Sequence, residues 1–330
     1  MLHSRRISAV RLAAAAAIGL AGIASASAET KWDMPTPYGD SNFHTMNIAE
    51  FAKDISEKTG GSLTIQIHSA GSLFKHPEIK NAVRKGLAPI GEVLVSRLSN
   101  EDPVFGVDSV PFMANSYDAA WKLYQASKPL LEQKLEAQGL QLLFTVPWPP
   151  QGIYTKKEIN TIDDLKGLKF RAYNAATERL AQLADAVPTQ VEVPDLPTAF
   201  STGRVEAMIT SPSTGANSKA WDFLTHYYDT QAWLPKNMVF VNKAAFDGLA
   251  DAEKAAILEA AATAETRGWE ASKTETAEKT KVLADNGIKV LEPSAELQEA
   301  LKGIGATMVS EWEASAGDDG KAVVEAYSKQ

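Results

Sequence analysis

Polar and apolar residues follow two periods along this chain. Leu63–Thr64–Ile65–Gln66–Ile67–His68 alternates strictly and predicts a strand, and Lys31–Trp32–Asp33–Met34 predicts a shorter one. Between them Ile48, Phe51, Ala52 and Ile55 recur at helical spacing. They predict a helix from Asn42 to Lys58, with Asp40 and Ser41 as candidate N-caps and Thr59–Gly60–Gly61 as its stop. Pro77–Lys85 reads as a short helix, and Leu87–Val95 as a strand buried on both faces. The first hundred residues therefore run β-α-β-α-β, the order of a doubly wound sheet. Ser116–Ala137 continues as a long helix and Leu140–Thr145 as a strand, ending in the turn Val146–Pro147–Trp148–Pro149–Pro150, the best candidate boundary.

The second half also alternates strands and helices. Strands are expected at Gly152–Thr155, Thr189–Val193 and Val205–Ile209, the last leading into a polar loop, Thr210–Gly215. Met238–Asn242 is a strand by which the chain can return to the first domain. Asp251 to about Ala284 is a long helix, increasingly polar and able to bridge two domains. A short strand at Gly287–Leu291 and helices to the C-terminus complete the pattern.

One stretch organises the rest. In Asp164–Asn174, Gly167 closes a turn, Leu168, Phe170 and Ala172 alternate with Lys169 and Arg171, and Asn174 caps a helix over Ala175–Ala186. Arg171 thus stands near the end of a strand, just before a helix N-terminus, where open α/β sheets bind ligands. It is expected to clamp a carboxylate; the alternative is an exposed strand arginine.

Charge and composition narrow the classes of partner. His3–Ser4–Arg5–Arg6, the apolar Leu12–Ile23 and Ala26–Ser27–Ala28 have the order of an export signal cleaved near Glu29. Arg5–Arg6 leaves the twin-arginine and ordinary routes open. Loss of three arginines with residues 1–28 takes the formal charge from −8 to −11. That disfavours nucleic acid and anionic lipid. The chain has no cysteine, so neither disulfides nor thiolate metal sites are available. No later run is long and apolar enough to predict stable membrane insertion.

The catalytic signals are weak. His44, His68, His76 and His226 form no ligand set, and no GxSxG, Walker A or GxGxxG is present. Asp163 and Asp164 read as capping residues, and Ser211 and Ser213 have no adjacent base. Aromatic residues are the second theme. Trp148 and Trp233 both lie where the chain passes between domains, and interdomain clefts are preferred ligand sites.

Here the residues resemble a family. Asp164–Leu165–Lys166–Gly167–Leu168–Lys169–Phe170–Arg171, Leu196–Glu206 and the helix after Asp251 are similar to the solute-binding proteins of tripartite ATP-independent periplasmic (TRAP) transporters, the DctP-like family. The resemblance implies an α/β, two-lobed periplasmic-binding-protein-like fold, type II-like, with the ligand cleft between lobes and a long helix spanning both. It implies a salt bridge from Arg171 to the ligand carboxylate, and Thr210 and Ser211 in a ligand-facing position. The second arginine of sialic-acid-binding members falls at Gln151, and a third-strand glutamate of some members falls near Leu94. One arginine and no second cation point to a monocarboxylate with an apolar or aromatic body. A dicarboxylate, keto acid, sulfonate or ectoine-like zwitterion stays open.

The expected ligand-binding residues are Arg171, Gln151, Trp148, Ser211, Thr210, Trp233, Asn237, Asn42 and Leu94, with no catalytic residue, metal or cofactor. The expected division is a signal peptide at 1–28, lobe 1 at 29–150 plus about 236–275, and lobe 2 at 151–235 plus about 276–330. The expected protein is a periplasmic monomer that delivers an organic acid to the small and large membrane permease subunits. The alternatives are an exported α/β enzyme acting on a carboxylate and a ligand-sensing binding protein.

Overall fold

The computed structural model describes residues 29–330; the export signal expected at 1–28 lies outside them. Alternation in the first segment produces β1 (Thr30–Pro35), paired in parallel with β2 (Leu63–His68) across α1 (Phe43–Lys58). Asn42 itself caps α1, accepting from the His44 N–H at 3.0 Å, in place of Asp40 or Ser41. There follow α2 (His76–Arg84), β3 (Ile90–Leu94), two 3-10 turns at 95–98 and 103–109, α3 (Tyr117–Glu136) and β4 (Leu140–Pro147).

The chain then crosses into β5 (Gly152–Thr155), β6 (Lys169–Ala172), α4 (Ala175–Leu183), β7 (Val187–Gln190), α5 (Leu196–Ser201), β8 (Ala207–Thr210), α6 (Pro212–Asn217) and β9 (His226–Tyr228). It returns through β10 (Lys236–Asn242) to α7 (Lys243–Asp247), and ends with α8 (Asp251–Asp285), β11 (Lys289–Leu291) and α9 (Ala295–Ser328).

The architecture is two-lobed α/β, but its sheets are mixed. β10 lies between β3 and β4 and is antiparallel to both. The larger sheet runs β11-β9-β5-β8-β6-β7, and its β5 is antiparallel to both neighbours. The purely parallel order expected of a doubly wound sheet is therefore interrupted. An apolar run such as β3, buried at every position, encodes burial on two faces and not the direction of its partners.

The two crossing segments hold each other. Trp148 N–H donates to Pro235 O at 2.8 Å, Gln151 N–H donates to Trp233 O at 3.0 Å, and Ala232 N–H donates to Gln151 O at 3.0 Å. One apolar cluster runs through this junction from Phe51 and Phe144 to Ile153, Phe170 and Trp233. α8 touches both lobes: Asn47 Nδ2 donates to Ala264 O at 2.9 Å, and Ser213 Oγ to Glu275 Oε2 at 2.6 Å.

α9 also crosses. Leu297 and Leu301 sit in the central cluster, whereas Trp312 and Val323 pack with Val107, Val110 and Leu123 of the first lobe. Residues 276–330 were expected to belong with lobe 2; Glu311 does pair with Arg179 of α4 at 2.6 Å, while Trp312 and Val323 reach the first lobe. Gly305 permits this crossing, since a Cβ there would stand 2.9 Å from the Phe112 ring and 3.0 Å from Pro111 O.

Candidate functional site

β6 runs parallel to β7 and β8, so the carboxyl ends of the three strands open on one side. Arg171 stands on β6 at 2 % exposure, not on the surface. Its Nε donates to Val191 O at 2.9 Å, and its guanidinium carbon lies 4.6 Å from the centre of the Tyr173 ring. Among the described residues no carboxylate forms an ion pair with it. Burial, partly offset by Tyr173 and Glu192, lowers its pKa to about 10, so it is still charged at neutral pH. Its free end lines a cavity of about 380 Å³, counting the mouth.

The first lobe contributes Tyr38, His76, Leu94 and Arg97 to that cavity. The second contributes Tyr173, Glu192, Val193, Thr210, Ser211 and Thr214 beside Arg171, and the crossing segments contribute Trp148, Gln151 and Pro235. Of the nine residues expected to meet ligand, Arg171, Gln151, Trp148, Ser211, Thr210 and Leu94 are thus brought together. Gln151 is already engaged: its Nε2 donates to Pro149 O at 2.8 Å and its Oε1 accepts from the Tyr173 hydroxyl at 3.0 Å. Ser211 caps α6, accepting from the Thr214 N–H at 3.0 Å. The expected loop Thr210–Gly215 is therefore the start of a helix, with Pro212 in its first turn.

Trp233, Asn237 and Asn42 lie outside the lining. Trp233 is fully buried, and its indole N–H donates to the Tyr173 hydroxyl at 3.3 Å. Asn237 stands behind the wall: its Oδ1 accepts from Trp148 Nε1 at 2.9 Å and Tyr38 Oη at 3.3 Å. Its Nδ2 donates to Glu92 Oε1 at 2.8 Å. Asn42 is the α1 cap.

Two expectations about charge change. The third strand does carry a glutamate, at Glu92, two positions before Leu94 and on the same face of β3. It is 1 % exposed. Burial pushes it up to about 7, against hydrogen bonds from Thr36 and Asn237. There is also a second cation. Arg97, in the 3-10 turn after β3, donates from Nη1 to Tyr173 O at 2.9 Å and lies 2.8 Å from Glu192 Oε1.

Glu192 Oε2 is 3.3 Å from His76 Nδ1, and His76 Nε2 accepts from the Leu94 N–H at 3.2 Å. The second bond needs a lone pair on Nε2. That places the His76 proton on Nδ1 and leaves the ring neutral, as its burial also favours. Burial works to raise the Glu192 pKa. His76 and the charges of Arg97 and Arg171 outweigh it and hold the carboxylate down to about 2. The lining so carries two cations and one anion, and Arg171 is the cation left over.

Tyr38, His76, Arg97, Tyr173 and Glu192 had no motif to mark them. Arg97 alone had a usable signal, since it follows a buried strand much as Arg171 ends one.

The chain is similar to known proteins along most of its length. The profile of bacterial extracellular solute-binding protein family 7 (DctP) matches residues 38–315. The solved structure of DctP6, a Bordetella pertussis extracytoplasmic solute receptor binding pyroglutamic acid, is 46 % identical with a TM-score of 0.90, covering 91 % of this chain and 100 % of that one. DctP7 of the same organism, also binding pyroglutamic acid, is 48 % identical with a TM-score of 0.90, covering 91 % and 99 %. A marine metagenome TRAP solute-binding protein, described as specific for pyroglutamate, is 42 % identical with a TM-score of 0.90, covering 92 % and 100 %.

Proposed function

We propose that this chain, which belongs to bacterial extracellular solute-binding protein family 7, captures pyroglutamate and presents it to a TRAP permease. The family is one of extracytoplasmic solute receptors and not of enzymes. The observation that carries the ligand reading is Arg171, a buried guanidinium that lines the interlobe cavity and, among the described residues, has no carboxylate partner.

A guanidinium fork gives two parallel hydrogen bonds to a carboxylate, and the water-poor site strengthens both. Pyroglutamate supplies one carboxylate on a small neutral lactam. One net positive charge in the lining matches that. Trp148 covers one side of the cavity, while Thr210, Ser211 and Tyr38 offer hydroxyls to the lactam. Trp233, set back behind Tyr173, supports the site without touching ligand. Similarity to three pyroglutamate-binding receptors at 42–48 % identity supports the same choice.

In this reading residues 1–28 direct export to the periplasm, and the ligand-closed surface of a monomer meets the small and large permease subunits. Lobe 1 comprises 29–150, about 236–275 and the end of α9; lobe 2 comprises 151–235, about 276–294 and the start of α9. Titration calorimetry with L-pyroglutamate is the test. Saturable one-to-one binding with the ligand recovered unchanged is expected; absence of binding, or conversion to a product, removes the proposal.

A further inference from the structure

The ligand reading leaves one pocket feature unused: a carboxylate inside a site built for an anion. Glu192 lines the cavity, yet its charge opposes that of the ligand. Its position is built. Arg97 lies 2.8 Å from one oxygen and the His76 Nδ1 donor 3.3 Å from the other. Arg97 is fixed independently by its bond to Tyr173 O at 2.9 Å, so it would stay at the wall without its anion. Tyr173 links the two cations, carrying Arg171 against its ring and Arg97 on its carbonyl.

We propose that Glu192 is the residue that sets the ligand charge this site accepts, by neutralising Arg97 and leaving Arg171 as the single uncompensated cation. The proposal rests on the monocarboxylate reading above and deepens it. A dicarboxylate of the same size would bring its second carboxylate into a low-dielectric space already holding Glu192. Like charges there repel strongly, and no free cation compensates. The selection is thus made by repulsion as well as by fit. Without the Glu192 charge, Arg97 becomes a second carboxylate clamp, and the same walls take a dianion.

L-pyroglutamate and glutarate have equal numbers of heavy atoms and differ by one carboxylate, so they isolate charge from size. Calorimetry is run with both acids on the wild type, Glu192→Gln, Arg97→Gln and the double variant, each first checked for cooperative thermal unfolding. Glu192→Gln is expected to raise the glutarate-to-pyroglutamate affinity ratio at least tenfold. The double variant is expected to return the ratio to within threefold of wild type, because the freed cation is gone. Arg97→Gln leaves Glu192 to compensate Arg171 and is expected to weaken pyroglutamate at least tenfold. A ratio within threefold of wild type in Glu192→Gln overturns the proposal. So does a double variant as permissive as Glu192→Gln, or, should Glu192→Gln not fold, an Arg97→Gln protein that binds pyroglutamate like wild type. Wild-type binding of pyroglutamate reports on the ligand reading alone, and the variant ratios report on the charge rule.

Discussion

A buried arginine with no anion beside it is costly to hold, and Arg171 is held by Val191 O and the Tyr173 ring. Truncating it would leave the ligand carboxylate buried and unpaired, a loss of about 3–5 kcal/mol or at least a hundredfold in affinity. Calorimetry on Arg171→Ala is expected to record that loss, and an affinity within threefold of wild type would remove Arg171 from the clamp. Glu92 gives a separate prediction. Its folded pKa of about 7 exceeds the ordinary 4.5, so the folded state binds the proton more tightly. The group's contribution to stability is fully present below pH 4.5 and is lost as pH rises through 7. At about 1.4 kcal/mol per unit this is roughly 3–4 kcal/mol. Glu92→Gln should flatten that part of the Tm–pH curve and gain on wild type between pH 5 and pH 8; parallel curves would contradict the assignment. At this scale the sequence disclosed residues that end strands: Arg171, Thr210 and Ser211. It hid His76, Arg97 and Glu192, which meet only when elements about a hundred residues apart fold together, and whose charges mean little until the pair is seen.

Elements were legible where period and punctuation agreed. β2 and β5 coincide with the expected strands, and α1, α3 and α8 end within a residue or so of expectation, because caps, glycine stops and apolar spacing all point the same way. β9 was missed, since three residues, His226–Tyr227–Tyr228, are too short to show a period. α6 was read as a loop although Ser211–Pro212 is a sound helix start. Strand direction was not legible at all, being settled by partners distant in sequence. Helix packing offers a paired test with opposite signs. In α8 a Cβ on Gly268 would stand 2.3 Å from Val146 Cγ2 and 2.8 Å from Asn47 Nδ2. In α9 a Cβ on Gly303 meets nothing within 4 Å. Alanine is favoured over glycine by about 1 kcal/mol in a helix, and overpacking costs about 1–3 kcal/mol. Gly303→Ala should therefore raise the melting temperature and Gly268→Ala lower it; equal shifts in denaturation curves would refute the packing argument.

For the whole molecule, the two lobes share an apolar cluster and are tied across the cleft. Arg97 bonds Tyr173 O, and Asn174 Nδ2 donates to Ser96 Oγ at 2.8 Å. A single cooperative unfolding transition is expected in calorimetry. At a hundred times the dissociation constant, ligand should stabilise it by about 2.7 kcal/mol as one unit. Two resolved transitions, only one of them moved by ligand, would mean that the lobes unfold separately. The two-lobed class could be read from the alternation of elements and the proline-rich crossing, but not the return of α9 to lobe 1, which depends on a close approach at Gly305. The insertion of β10 between β3 and β4 has a consequence in time. The first lobe lacks its middle strand until residue 242 exists, whereas residues 152–228 already hold every strand of the larger sheet except β11. Contacts close in sequence form before distant ones. In a chain that emerges from its N-terminus, the later-made lobe therefore assembles first and the earlier-made lobe waits for it. Interruption of synthesis before residue 236 leaves that earlier lobe with an unfilled slot and two bare strand edges.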